Sequence, residues 1–237
     1  MKILNSFQIK LFMLLLMTLD HLGVLLPYEW ARIFHIVSRP VAVWFAFAAV
    51  ESFVHTRSRR DYVMRLYSAA AVMSAGNVLL SILMQAKPDL VPDNNIFLTL
   101  AVGVSILWLL EEEWRRALRW VLIAILGIFM VTACEGGLLL LGTMLVCWAF
   151  REKPGPRSGV LAILFVLLSG TPVGNVSMSA IMLEFLANSS VACVGVLPFL
   201  HLYNGRRGPD GPVAKWFFYL YYPAHIWLIA LAAYAML

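Results

Sequence analysis

The sequence predicts an all-α fold, a polytopic helical bundle embedded in a membrane, and three observations predict it. Hydrophobic residues make up 62% of the chain and charged residues 13%, with a mean hydropathy of +0.83, whereas a soluble domain carries about 45–50% apolar and about 25% charged residues. The apolar residues fall into runs of helix length, parted by short polar loops. The basic residues sit in alternate loops, which is how topology is written into membrane proteins. The 237 residues are expected to form one membrane domain over 1–237, with no room for a second, soluble one.

The first run covers 7–26 and stops at Pro27. A helix of that length spans roughly 30 Å, the thickness of a bilayer's hydrocarbon core. It is too long for the core of a signal peptide and no small-residue cleavage site follows, so no cleavable leader is expected. After a loop over 27–32, a second run covers 33–54 and contains Arg39 and Glu51; the basic turn 55–65 follows. The third run is 66–84 and the fourth 96–110, with the polar loop 87–95 between them. Residues 111–119 read as the end of an extended or interfacial helix. Runs five and six, 120–133 and 138–150, are short and turn at Cys134-Glu135-Gly136-Gly137. A Pro/Gly loop over 151–157 leads to a seventh run, 160–169, closed by GTPVGN. The eighth run, 178–202, holds Glu184 and Asn188; the loop 203–215 separates it from the ninth, 216–237. Nine transmembrane helices are therefore expected. With a cytoplasmic N-terminus, inner loops and flanks collect fourteen basic residues, while outer loops hold only Arg32 and Lys87.

Polar residues inside these runs are costly and mark a functional interior. Lys10 and His21 are eleven residues apart. At about 100° per residue they share one stripe, roughly 16 Å apart along the axis. The rise per residue places Asp20, His21, Arg39 and His225 near one layer. Plainer readings exist for each. Asp20 and Arg39 read as an ion pair, His21 as a hydrogen-bonded packing residue, and Glu51 as a neutraliser of the cluster from Arg57 to Arg60. The basic loops alone would fix topology. Lys10 escapes that last reading, because it lies within an apolar run. The net charge of +5 does not point to nucleic acid, since the basic residues are scattered in loops. Cys134, Cys147 and Cys193 lack metal or disulfide spacing, so no metal is expected.

Several stretches together resemble the TraX family, membrane proteins encoded with conjugative transfer systems and linked to N-acetylation of pilin. They are Lys10, ten residues, then His21, with Asp20 just before the His; SRPVAVWFAF and ESFVHTRSRRDYVMRL; NNIFLTLAVG; and LYNGRRG with KWFFYLYYPAHIWLI. Ser38 stands where the family has Gly, and Cys134-Glu135-Gly136 stands at an Asp-Tyr-Gly-like site. The Lys/Arg-to-His spacing is also similar to that of acyltransferase-3 membrane enzymes, which acylate sugars. The resemblance implies a bacterial inner-membrane acetyltransferase using acetyl-CoA, with a pilin subunit as its acceptor and partner. Lys10 and the loop arginines Arg57, Arg60, Arg65, Arg206 and Arg207 would hold the CoA phosphates. His21 would act as general base, Asp20 and Arg39 would attend the reacting centre, and His225 would serve as second base or donor. O-acetylation of a glycan, a pilin scaffold and a small transporter are the alternatives.

Overall fold

The computed structural model describes residues 2–113, 115–169, 185–209 and 211–236. Among these residues the regular structure is helical. Helix α1 (Ser6–His21) starts at Asn5, where a reciprocal cap satisfies two end donors: the Gln8 N–H donates to Asn5 Oδ1 at 2.9 Å and the Asn5 N–H to Gln8 Oε1 at 3.0 Å. It runs on through a 3-10 turn, Leu22–Leu25, to Pro27.

Next come α2 (Tyr28–Ser38) and α3 (Pro40–His55), joined at Arg39, which itself keeps helical backbone angles, φ −50° and ψ −35°. They act as one span, Tyr28–His55. The loop expected over 27–32 is thus mostly helix. Only Pro27 breaks the chain there; Glu29 and Arg32 lower the hydropathy without opposing a helix, and Glu29 suits a first turn. Helix α4 (Arg59–Leu83) begins after Ser58, whose hydroxyl accepts the Asp61 N–H at 3.2 Å. Arg59, Arg60 and Arg65 of the expected basic turn therefore lie in the first two turns of a helix, and Arg57 stays outside it. Asn95 caps α5 (Ile96–Glu111) in the same way, accepting the Leu98 N–H at 3.2 Å. Then follow α6 (Arg116–Ala133), α7 (Gly137–Ala149) and α8 (Pro154–Leu167).

The eighth run is not one helix where it is described. A 3-10 segment, Ser190–Val196, passes into the short α9 (Leu197–Leu202). Pro198 has no N–H to return to the preceding turn. Gly195 presses against α3, and a Cβ there would stand 2.9 Å from Pro40 Cγ. Glu184 and the GTPVGN stretch lie outside the described residues. The last helix, α10 (Pro212–Met236), carries Pro223 inside it.

Nine spans were expected. Among the described residues five helical stretches are long and apolar enough to cross a membrane, beside four shorter apolar ones: Ile96–Glu111, Gly137–Ala149, Pro154–Leu167 and Ser190–Leu202. Helices α3 and α5 form the centre of the core, with Trp44, Phe47, Phe53, Ile106 and Leu107 fully buried. Alanines at 46, 48 and 49 thin the α3 surface, so that neighbours approach closely. Helix α6 lies outside and buries only Met130.

One end of the bundle is tied by main chain. Ile3 and Leu4 N–H groups donate to the Leu202 carbonyl at 3.0 Å, Asn204 N–H to Leu4 O at 2.9 Å, Ser6 N–H to Arg206 O at 2.9 Å and Phe7 N–H to Arg207 O at 3.1 Å. An ion pair of Arg59 with Glu111 joins α4 to α5 at this same end, and Trp148 Nε1–H donates to Glu111 at 2.7 Å from α7. Among the described residues the carboxylate that pairs with this arginine cluster is Glu111, where Glu51 was expected.

Candidate active site

A cavity of about 710 Å³ opens along α1. Its lining on α1 runs from Ser6 to His21, roughly 22 Å of helix. Residues of α3 between 41 and 55, the first turns of α4 and α5, and α10 up to Tyr222 supply the other walls. The stripe that joins Lys10 to His21 in the sequence is therefore one wall of a continuous space.

Three cations stand toward the end tied by the main chain: Lys10, Arg65 and Arg207. The Lys10 ammonium lies 5.4 Å from the Phe218 ring centre, a cation–π contact. Arg65 lies over Tyr62 at 5.8 Å, and its buried Nε has no hydrogen-bond partner. Arg207 is brought over α1 by the main-chain ties of its loop. Gly208 follows with φ at +89°, and a Cβ there would stand 2.8 Å from Asn5 Oδ1. The expected cluster is only partly gathered. Arg57, Arg60 and Arg206 are exposed and do not line the cavity. Arg206 instead gives its carbonyl to the Ser6 N–H.

Farther along α1 the two histidines meet. His21 Nδ1 lies 3.0 Å from His225 Nε2. His225 Nδ1 lies 2.8 Å from the Tyr221 carbonyl, one turn back on α10. A carbonyl only accepts, so His225 carries its proton on Nδ1 and its Nε2 is a lone pair. That lone pair must then accept from His21 Nδ1–H. In the neutral form of His21 this leaves Nε2 as the unprotonated ring nitrogen, the one able to take a proton. The Tyr221 ring stacks on His225 at 5.0 Å, and its hydroxyl meets Thr18 of α1 at 2.8 Å. These contacts hold α1 and α10 in the register that the histidine bond needs.

The expected Asp20–Arg39 pair is not formed. Asp20 Oδ1 accepts from His35 Nδ1 at 2.9 Å. Arg39 donates instead to the Ser189 carbonyl at 3.4 Å, and its buried Nε has no partner. The reason is the helical continuation through 28–38. It places His35 on the side of α2 that faces Asp20, one turn before Arg39. Sequence reading passed over His35. Its four-residue spacing to Arg39 was the available signal. Asp20, His35 and Arg39 all line the cavity.

Away from the cations the wall includes Asn94, Glu135 and Tyr222. Asn94 Nδ2 donates to Glu135 Oε1 at 3.3 Å, and Thr99 donates to the Glu135 carbonyl at 2.9 Å. Glu135 Oε2 is buried without a hydrogen-bond partner. Burial pushes this carboxyl above the usual carboxylate range. Among the described residues, no group of three or more His, Cys, Asp or Glu side chains is placed to hold a metal ion.

The family model described as TraX protein matches residues 6–233. A probable fimbrial assembly protein FimC, serogroup H1, from Dichelobacter nodosus is similar at 24% identity, over 96% of this chain and 95% of its own length. No solved structure matches.

Proposed function

This chain belongs to the TraX family, and on that premise we propose that it is an inner-membrane acetyltransferase that moves an acetyl group from acetyl-CoA to the N-terminal amine of a pilin subunit. The observation that carries the reading is His21, left with a free Nε2 inside a cavity that holds three cations toward one end. The pilus-related name of the similar Dichelobacter nodosus protein favours pilin as the acceptor.

Acetyl-CoA is the acyl donor substrate. Lys10, Arg65 and Arg207 face its phosphates, and the thioester arm extends along α1. The acceptor nitrogen attacks the thioester carbonyl carbon, forming a C–N bond as the carbonyl electrons move onto oxygen. His21 Nε2 takes the proton that the nitrogen loses. The imidazolium so formed keeps its Nδ1–H bonded to His225 Nε2, which steadies the charge. Arg39, whose Nε is free of protein partners, donates to the oxyanion. Collapse breaks the C–S bond, and the departing thiolate takes back the proton from His21. Without the Asp20 pairing, no carboxylate among the described residues pairs with Arg39 to cancel its charge.

The test uses purified protein in nanodiscs with acetyl-CoA and processed pilin, read by intact mass. A gain of one acetyl group on the N-terminal residue is expected. His21→Ala lowers single-turnover transfer by about 10²–10⁴ while acetyl-CoA binding persists. Pilin of unchanged mass, or full turnover in His21→Ala, refutes the reading.

A further inference from the structure

The cavity is electrically polarised along its length. Lys10, Arg65 and Arg207 stand toward one end. Of its three lining carboxylates, Asp20 is answered by His35. Glu51 lies near the end of α3 that meets the arginine-bearing loops. Glu135 is different. It sits in the turn before α7, at the far ends of α5 and α6 from those loops. Among the described residues no Lys or Arg pairs with it. One oxygen is held by Asn94, while Oε2 is buried and unpartnered. The Tyr222 hydroxyl and the Asn95 amide stand beside the carboxyl without meeting hydrogen-bond geometry.

A buried carboxylate oxygen that lacks a well-formed hydrogen bond keeps capacity for a further donor, and the cavity gives a ligand access to it. What completes it must bring N–H donors, and positive charge suits it best. The walls agree. Phe97 and Tyr222 pack edge to face with centres 5.1 Å apart, and both line the cavity. Aromatic faces accept a cation. The Tyr222 ring also lies 5.9 Å from the His225 ring. A group held at Glu135 is thus one tyrosine away from the histidine pair.

We infer that Glu135 is a recognition site for a primary ammonium group on the acceptor, with Phe97 and Tyr222 as its walls. This inference rests on the acetyltransferase reading for the word acceptor and on the cavity alone for the site. It assigns the two substrates by charge: an anionic acyl donor at the Lys10 end and a cationic acceptor at the Glu135 end. A neutral hydroxyl acceptor would leave Oε2 without a charged partner.

The experiment uses the full chain in zwitterionic-lipid nanodiscs, with empty discs as the blank. Phenethylammonium and phenethyl alcohol are the probes, compared by calorimetry. The ammonium is expected to bind about tenfold more tightly than the alcohol, as for a charge-assisted hydrogen bond. Glu135→Gln and Glu135→Met abolish that preference while CoA binding, which reports an intact cation end, is unchanged; two neutral replacements are used so that a folding failure in one leaves the other to decide. Equal binding of the two probes to the unaltered protein overturns the site, and so does a preference that survives in either folded variant. The acetyl-transfer assay fails independently: an ammonium preference without transfer refutes the acetyltransferase reading alone, and transfer without the preference refutes the Glu135 site alone.

Discussion

At the scale of single residues, the site is governed by which imidazole meets which partner. Asp20 is bonded to His35, and Arg39 stands apart from both. Asp20→Ala and His35→Ala are therefore expected to couple in a double-mutant cycle of stability, by about 0.5–3 kcal/mol. Each single change leaves the other group without its partner in the partly exposed cavity wall, whereas the double change leaves neither. Asp20→Ala and Arg39→Ala are expected to couple less. The measurement is unfolding by SDS in mixed micelles for all single and double variants. Stronger coupling of Asp20 to Arg39 than to His35 would restore the pairing that residue spacing suggests.

At the scale of helices, packing against α10 depends on a bare position in α4. A Cβ at Gly76 would stand 2.0 Å from Trp227 Cζ2, and that indole is fixed by its Nε1–H donating to Asn77 Oδ1 at 3.0 Å. Gly76→Leu is expected to destabilise by about 1–3 kcal/mol, because the ring must leave its bond to make room. Gly127 of α6 is the control, with nothing within 4 Å of its would-be Cβ. Gly127→Ala is expected to be neutral or to stabilise by up to about 1 kcal/mol through helix propensity. Melting temperatures in detergent decide; equal losses at both positions would contradict the α4–α10 contact. The His21–His225 bond belongs to this scale too, since it exists only while α1 and α10 keep their register.

At the scale of the whole molecule, the basic loops converge. Arg59 meets Glu111, Arg119 donates to the Glu112 carbonyl at 2.7 Å, and the Arg206 and Arg207 carbonyls cap the start of α1. At the other end Lys87 Nζ donates to the Tyr234 carbonyl near the end of α10, at 3.2 Å. We propose that the basic end faces the cytoplasm, as the positive-inside rule directs. Alkaline phosphatase fused to the C-terminus should then be active, and a fusion after Gly208 inactive. The reverse pattern would invert the molecule.

Composition and run length determined the all-helical membrane class, because burying so many apolar side chains beside so few charges leaves hydrocarbon as the fitting solvent. Helical periodicity likewise placed Lys10 and His21 on one face, since 100° per residue is a property of the backbone and needs no neighbour. The break at Pro198 was equally local, yet hydropathy alone ran straight across it. Partner choice was not local at all. Asp20 took His35 over Arg39, His225 set which nitrogen of His21 donates, and among the described residues no cation pairs with Glu135. Each of those outcomes depends on the rotation and depth of one helix against another. Those are set by how small residues such as Gly76, Gly195 and the alanines of α3 let helices approach, a sum over the whole core that no single stretch of sequence contains.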